Sequence, residues 1–231
     1  MIRLFCPGDF QAGFTLPLTD RTAHYLFHVM RRQIGDDVLV FNGRNGEWQA
    51  RLATQTKKGG TLILETQTRK QEAPAPLILC PALIKKEPLD FVLQKATELG
   101  VTAIYPLLTD RTVVSHLNLE RAQAILIEAA EQSERLTVPT LFQPQPLTKV
   151  LADLPKTVTP ICLAERSDSV LKPKTDQTPA LFIGPEGGWT PAELEQFQRA
   201  NTQFWHLGNT ILRAETAALA ALACYQFGFK V

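Results

Sequence analysis

The hydrophobic pattern of this chain changes near residue 70, and that change most constrains the fold. Before it, apolar and polar residues alternate in short segments such as 37–41, 47–52 and 61–65, with turn-forming residues between them. Such alternation is typical of antiparallel strands joined by tight turns. The first part is therefore predicted to be a small β-barrel or meander, interrupted by one helix over 24–32.

Beyond the linker-like segment 70–76, apolar runs of strand length alternate with longer helical patterns. One helix is predicted over 89–99, closed by Gly100, and a second over 118–135 with Asn118 as its N-cap. This order is typical of an α/β sheet with helices on its faces. The predicted strands are 77–84, 103–108, 160–164, 180–184 and 203–207.

Composition and cysteine spacing exclude several classes of protein. The chain has 231 residues, 45% of them hydrophobic and 20% charged, which is ordinary for a folded protein with a substantial core. Its four cysteines are far apart, so we expect buried free thiols and no metal site. Neither a signal peptide nor a membrane-length apolar run is visible, and we expect a cytoplasmic protein.

Charge is distributed unevenly along the chain. Residues 1–70 carry ten basic and six acidic side chains, a net charge of +4, whereas the remainder carries fourteen basic and seventeen acidic ones, a net charge of −3. A small basic part joined to a larger acidic one suits an RNA-binding module attached to a second function. An ordinary solvated surface is the alternative.

The segment 182–193 runs from a predicted buried strand through three glycines into a helix that begins at Thr190. Pro191 and Glu193 complete the signature of a helix start, with Glu193 in a capping box. Glycines let backbone amides approach a ligand closely, so the loop is a candidate binding element at the end of a strand. A tight structural turn is the alternative, and the spacings of phosphate-binding and dinucleotide-binding loops are both absent.

A second unusual segment, 207–217, leads into a very apolar helix over 218–227. Arg213 and Glu215 lie where the loop enters this helix, so both must be paired or exposed at a cleft. An Arg–Glu pair that locks the last helix in place explains them equally well.

Four motifs occur together in order along the chain: QKATELGV (94–101), EAAEQSER (128–135), IGPEGG (183–188) and LGNTILRAETAA (207–218). In this combination the chain resembles the ribosomal small-subunit RNA methyltransferase E family of the SPOUT superfamily. The N-terminal segments RLF (3–5), HYLFHVMR (24–31) and FNG (41–43) fit the leading domain of the same family.

This resemblance implies a fold and an activity. The fold would be a PUA-like RNA-binding β-barrel over 1–70, followed by an α/β SPOUT methyltransferase domain over 71–231 that ends in a deep trefoil knot. The protein would be a homodimer that uses S-adenosylmethionine to methylate N3 of one uridine in the 16S rRNA of the 30S subunit.

The resemblance also implies which residues wrap the cofactor. Thr at 214 is frequent in the family and is replaced here by Ala214, which argues against a role for a hydroxyl group at that position. The implied cofactor-binding residues are Leu163, Ala164, Phe182, Gly184, Pro185, Glu186, Gly187, Gly188, Leu207, Gly208, Ile211, Leu212 and Arg213.

Uracil N3 becomes nucleophilic only when its proton leaves, so the protein must supply alignment, a base and a cation near the developing negative charge. Arg213 is the first candidate for the cation and Arg135 the second. Glu186 or Glu215 would accept the proton, or would orient an arginine instead.

Four basic residues are predicted to contact RNA phosphates, because arginine and lysine pairs position a nucleic-acid backbone without reading its sequence. Lys85 and Lys86 could equally be a solvated turn before a helix. The four residues are Arg31, Arg32, Lys85 and Lys86.

Two other classes of protein remain open from the residues alone. A non-catalytic RNA-binding or ribosome-assembly protein would keep the basic N-terminal part without an apolar cofactor cleft. A nucleotide-dependent oxidoreductase would use the glycine-rich loop for a pyrophosphate, but the expected GxGxxG and its later acidic residue are missing.

Overall fold

A computed structural model describes residues 1–56, 59–165, 167, 169 and 177–228. The chain forms two compact units. The first comprises Met1–Ala73 with Ala130–Val138, and the second Pro74–Ala129 with Pro139–Val231. The sequence pattern gave no sign that 130–138 belongs with the first unit. The division at residue 70 stays a prediction.

The first unit contains one five-stranded sheet in the order β1-β3-β4-β5-β2. β1 pairs with β3 in parallel, and the other pairs are antiparallel. Register shifts between β4 and β5 mark bulges, which bend and twist a sheet. The strands are β1 (Arg3–Phe5), β2 (Thr15–Leu18), β3 (Asp37–Phe41), β4 (Glu47–Thr56) and β5 (Gly59–Arg69).

The predicted helix of the first unit is present but irregular. Helix α1 (Asp20–His24) begins after Thr19, whose Oγ1 accepts a hydrogen bond from the Thr22 amide at 3.2 Å. It continues as one turn of π-helix, Tyr25–Val29, and the chain then leaves through Arg31 at a φ of 52°. A positive φ is uncommon for a residue with a side chain, so the backbone is strained at Arg31.

A buried arginine ties the first strand of this unit to the segment 130–138. The Arg3 guanidinium donates to Glu47 Oε2 at 2.6 Å and lies 4.6 Å from the centre of the Phe41 ring. It also donates to the backbone carbonyls of Ala130, Glu131 and Arg135, at 3.3, 3.3 and 3.0 Å. Carbonyls at the end of a helix lack intrahelical partners, so one side chain satisfies groups that would otherwise be costly to bury.

The second unit is built on a six-stranded sheet in the order β13-β11-β12-β6-β7-β9, with every neighbouring pair parallel. A separate two-stranded parallel sheet joins β8 and β10. The strands are β6 (Ile78–Pro81), β7 (Ala103–Ile104), β8 (Leu107–Leu108), β9 (Thr140–Leu141), β10 (Gln145–Pro146), β11 (Val158–Leu163), β12 (Thr178–Ile183) and β13 (Gln203–Trp205).

The helices of the second unit follow the predicted pattern with one addition, α4, which the sequence did not suggest. Asn118 caps α3, accepting a hydrogen bond from the Arg121 amide at 2.9 Å, and the capping box at Thr190 is present. Each of the described helices is too short or too polar to cross a lipid bilayer. They are α2 (Lys86–Glu98), α3 (Leu119–Gln132), α4 (Leu147–Asp153), α5 (Pro191–Arg199) and α6 (Ala214–Phe227). The end of α3, from Ala130 onward, belongs to the first unit.

We expect replacement of Arg3 by methionine to lower the free energy of unfolding by about 3 kcal/mol, because it leaves the buried Glu47 carboxylate without its nearest cation. Urea denaturation of the full chain measures the change. The matched control is Arg44→Met, which removes an exposed ion pair with Asp9 and should cost less than about 1 kcal/mol. Equal effects of the two substitutions would show that the buried pair contributes no more to the free energy of unfolding than the exposed pair.

Candidate active site

Three neighbouring strands of the second unit end at the same edge of the sheet. In the parallel register Leu163 of β11 lies opposite Ile183 of β12 and Trp205 of β13. The residues that follow these strand ends are therefore adjacent, and the Ala164 amide donates to the Trp205 carbonyl at 2.9 Å. The carboxyl edge of a parallel sheet is where α/β proteins bind ligands. The structure thus brings the implied cofactor segments 163–164, 184–188 and 207–213 to one place.

The glycine loop after β12 is held against the end of β11 by Trp189. The indole Nε1 donates to the Leu163 carbonyl at 3.0 Å. The same ring packs so closely on Gly184 that a Cβ there would lie 3.1 Å from it. A side chain at residue 184 would therefore require the indole to shift by a few tenths of an ångström. Gly188 has a φ of 68°, a conformation that glycine adopts without strain.

Arg111, in the loop after β8, closes the other side of the glycine loop. Its Nη1 donates to the Gly187 carbonyl at 2.5 Å and lies 3.5 Å from the Trp189 carbonyl. A Cβ at residue 187 would meet the Arg111 side chain at 3.2 Å. Arg111 is not among the residues that were predicted from the sequence. The one feature of the sequence that could have indicated it is its position, in a loop that follows a predicted strand of the α/β part.

A buried carboxylate connects the same two loops. Glu193 is only 2% exposed and accepts hydrogen bonds from the Asp110 amide at 2.9 Å and from the Thr190 amide at 2.7 Å. The Thr190 hydroxyl donates to the Asp110 carboxylate at 2.9 Å. The capping box that starts α5 therefore also fixes the loop after β8, and the glycine loop lies between two anchored points.

The loop between β13 and α6 is more exposed. His206 Nδ1 lies 3.1 Å from the Gly208 amide, which donates to it, and Gly208 has a φ of 95°. Leu207 and Leu212 are half-buried, whereas Ile211 is 77% exposed. Apolar side chains therefore lie open to solvent beside the glycine loop.

The two catalytic candidates of this loop lie at the start of α6. Arg213 is exposed at the N-cap position, where its carbonyl accepts from the Ala217 amide at 2.8 Å. Glu215 is half-buried in the first turn, where the helix dipole favours a negative charge. Glu186 is exposed in the glycine loop.

The remaining catalytic candidate, Arg135, belongs to the first unit. Its guanidinium donates to Thr137 Oγ1 at 3.3 Å. Burial lowers the pKa of Arg135 to about 10, which still leaves the side chain positively charged at neutral pH.

The four predicted RNA contacts differ in their surroundings. Arg31, Lys85 and Lys86 are exposed. Lys85 is the N-cap of α2 and Lys86 its first residue, a few positions beyond the end of β6 at the carboxyl edge of the sheet. Arg32 is half-buried, with its Nη1 3.8 Å from Asp36, so part of its charge is already compensated.

Phe182 takes a different position from the one implied for a residue that encloses the cofactor. Its side chain is fully buried, and its ring packs edge-to-face on Phe197 with 5.3 Å between ring centres. A fully buried ring contributes to the core, so we expect only its backbone to matter for a ligand.

Two buried cysteines lie close to this edge, and their thiols are not reactive at neutral pH. Cys80 and Cys162 are opposite Phe182 on the two strands that flank β12, and both are free and buried. Burial raises the pKa of each thiol well above its usual value, so both stay protonated at neutral pH. They are structural thiols, as expected from the sequence.

Both parts of the chain match known domain families. An RNA methyltransferase domain matches residues 71–226, and an RNA methyltransferase PUA domain matches residues 18–65. These matches confirm an RNA methyltransferase domain preceded by a PUA domain, and the parallel sheet of the second unit agrees with the predicted α/β class. The assignment to the SPOUT superfamily and the deep trefoil knot stay predictions.

Similar proteins extend over nearly the whole chain. Ribosomal RNA small subunit methyltransferase E of Synechocystis is 38% identical over 90% of this chain and 72% of its own length. The corresponding enzyme of Rickettsia conorii is 34% identical over 89% of this chain and 86% of its own.

Solved structures agree with these relatives. The crystal structure of ribosomal RNA small subunit methyltransferase E from Neisseria gonorrhoeae, bound to S-adenosylmethionine, covers 99% of this chain and 98% of its own, with a TM-score of 0.91 and 32% identity. A Legionella pneumophila protein in complex with the same cofactor covers 98% of this chain and 97% of its own, with a TM-score of 0.86 and 30% identity. The chain therefore belongs to the ribosomal RNA small subunit methyltransferase E family.

Proposed function

We propose that this protein transfers the methyl group of S-adenosylmethionine to N3 of one uridine in the 16S rRNA of the small ribosomal subunit. The observation that carries the proposal is the meeting of three loops at the carboxyl edge of the sheet, in a chain of this family. Family membership also disfavours the two other classes that the sequence left open, a non-catalytic RNA-binding protein and a nucleotide-dependent oxidoreductase.

The residues at this edge fit S-adenosylmethionine. Glycines at 184, 187, 188 and 208 have no side chain to keep a ligand from the backbone of these loops, so main-chain groups there can read an adenine. Leu207, Ile211 and Leu212 offer apolar contacts. Leu163, Ala164, Pro185 and Glu186 complete the binding segment on the other two loops. When bound, the cofactor supplies an electrophilic methyl group on a sulfonium.

The side chains must then activate uracil N3. We propose Arg213 as the cation that stabilises negative charge on the uracil oxygens, because it is exposed at the start of α6 directly after the cofactor loop. Glu186 and Glu215 are the two candidates for the base that accepts the N3 proton. Arg135 is the alternative cation.

RNA phosphates would be held by the exposed Arg31 of the first unit and by Lys85 and Lys86 of the second. Arg32 is the weaker candidate because of its ion pair with Asp36. Because the proposed substrate is part of the ribosome, we also propose that the protein acts in the cytoplasm.

We further propose that the protein is a homodimer. Helix α6 is apolar along most of its length, yet within it only Ala214, Ala218, Ala221 and Leu222 are buried. A helix that is apolar on all sides needs cover on all sides, and a second copy of the chain would supply it. Sedimentation equilibrium should give twice the chain mass of 25.7 kDa.

The proposed reaction is tested with small subunits from cells that lack this protein. Purified protein and S-adenosylmethionine should introduce one methyl group per subunit, and primer extension should stop at one uridine, because a methyl on N3 blocks base pairing. Transfer to a ribose, or to another base, would contradict the proposal.

We expect replacement of Arg111 by alanine to weaken cofactor binding about tenfold, because the Gly187 carbonyl loses the charged donor that holds the glycine loop. Calorimetric titration with S-adenosylhomocysteine measures this affinity. Arg199→Ala, which removes an exposed ion pair on α5, is the control and should leave the affinity unchanged. Unaltered binding by the Arg111 variant would show that the loop holds its shape without it.

Measurements of kcat for single substitutions distinguish the proposed catalytic residues. Arg213→Ala should lower kcat roughly 100-fold or more, the usual loss when a charge-stabilising group is removed. Of Glu186→Gln and Glu215→Gln, the substitution at the true base should lower kcat roughly 100-fold or more, and the other should have a small effect. If neither glutamine variant loses activity, the base must be sought elsewhere. If Arg135→Ala lowers kcat while Arg213→Ala does not, Arg135 is the cation.

A further inference from the structure

An open cavity of about 370 Å³ lies in the second unit, and no residue of the three cofactor loops lines it. It is bounded by the end of β8, by residues 115–119 at the start of α3, and by residues 143–144 before β10. Its volume is within the range of roughly 300–1,000 Å³ that is typical of small-molecule pockets. None of the residues assigned above to the cofactor, to catalysis or to RNA lines it.

The lining of the cavity combines apolar walls with hydrogen-bonding groups. Leu108, Leu117 and Pro144 supply apolar surface. His116, Asn118 and Gln143 supply an imidazole and two amides.

Amides and an imidazole can match both donors and acceptors. Asn118 Oδ1 already accepts from the Arg121 amide, so its NH₂ group is the part that can donate to a ligand. Among the described residues that line the cavity there is no carboxylate, so nothing there repels a phosphodiester. A nucleobase has apolar faces and a hydrogen-bonding edge, so it matches this lining.

The cavity is connected to the cofactor site by one short loop. Arg111, which binds the Gly187 carbonyl, precedes Ser115 by four residues, and four residues of chain span at most roughly 14 Å. The rim of the cavity at Ser115 therefore lies within that distance of the residue that binds the glycine loop. A nucleotide next to the methylated one is the part of the RNA that this spacing suits.

We propose that this cavity binds an unstacked nucleotide of the ribosomal RNA that flanks the target uridine. The proposal rests on the proposed function, because it assigns a second subsite for the same RNA. Single-stranded RNA is recognised through splayed bases, and enzymes that extrude a target base also contact its neighbours. Holding the flanking nucleotide would fix which uridine reaches the methyl donor.

The test fills the cavity without touching the cofactor loops. Ser115 is exposed at the rim, so Ser115→Trp places an indole in the space at little cost in folding. We expect the KM for small subunits to rise at least tenfold, while the affinity for S-adenosylhomocysteine stays within twofold of the unmodified protein. Gln143→Ala, which removes one polar contact and adds no bulk, should raise the KM by a smaller factor. The matched control is Gln198→Trp, an indole on the exposed face of α5, which should change neither quantity.

Photocrosslinking gives a second readout that does not depend on activity. Small-subunit RNA that carries 4-thiouridine beside the target should cross-link to peptides containing residues 115–119 or 143–144. The proposal is overturned if Ser115→Trp keeps the unmodified KM, or if the cross-links lie only elsewhere. Absence of methyl transfer by the unmodified protein would instead refute the proposed function, and the cross-links alone would then decide whether RNA occupies the cavity.

Discussion

The parallel register of β11, β12 and β13 is the constraint on which the site depends. Because Leu163, Ile183 and Trp205 lie side by side, three loops that are far apart in sequence leave the sheet at one point. β11 and β12 are mostly buried and apolar, so a slip in their register would expose core residues and is strongly disfavoured. The position of the loops follows from packing in the sheet rather than from the loops themselves.

The glycine loop is further fixed from outside the sheet. Trp189 binds it to β11, Arg111 binds its carbonyls, and the buried Glu193 anchors both α5 and the loop after β8. A loop held at several points loses little entropy when a ligand arrives, which favours binding. It also keeps any bound donor in a defined orientation, and orientation is a large part of what a methyl-transfer enzyme must supply.

Much of the fold could be predicted because its signals are local. Alternation gave the strands of the first unit, the stripe closed by Gly100 gave α2, and Thr190 with Glu193 gave the start of α5. The motifs also indicated the family, which no periodicity could. What escaped prediction depends on long-range contacts. Nothing in the EAAEQSER segment shows that its end packs with the first unit.

The predicted site has the same limit. The glycine-rich motif predicted the loop but not its partners, which are distant in sequence. Arg111 is 76 residues from Gly187, and Asp110 is 83 residues from Glu193. Phe182 shows a different limit, since it directly precedes the IGPEGG motif and its side chain packs in the core. A motif identifies a segment, whereas the role of each side chain depends on which neighbours the fold gives it.

The buried Arg3–Glu47 pair restricts how this protein can change over evolution. Replacing either partner alone removes the closest compensating charge from the other, and Arg3 also donates to three carbonyls. Substitutions at these two positions must therefore occur together. In an alignment of relatives, columns 3 and 47 should vary together or not at all, and a lineage that lost the pair should have rebuilt the end of α3.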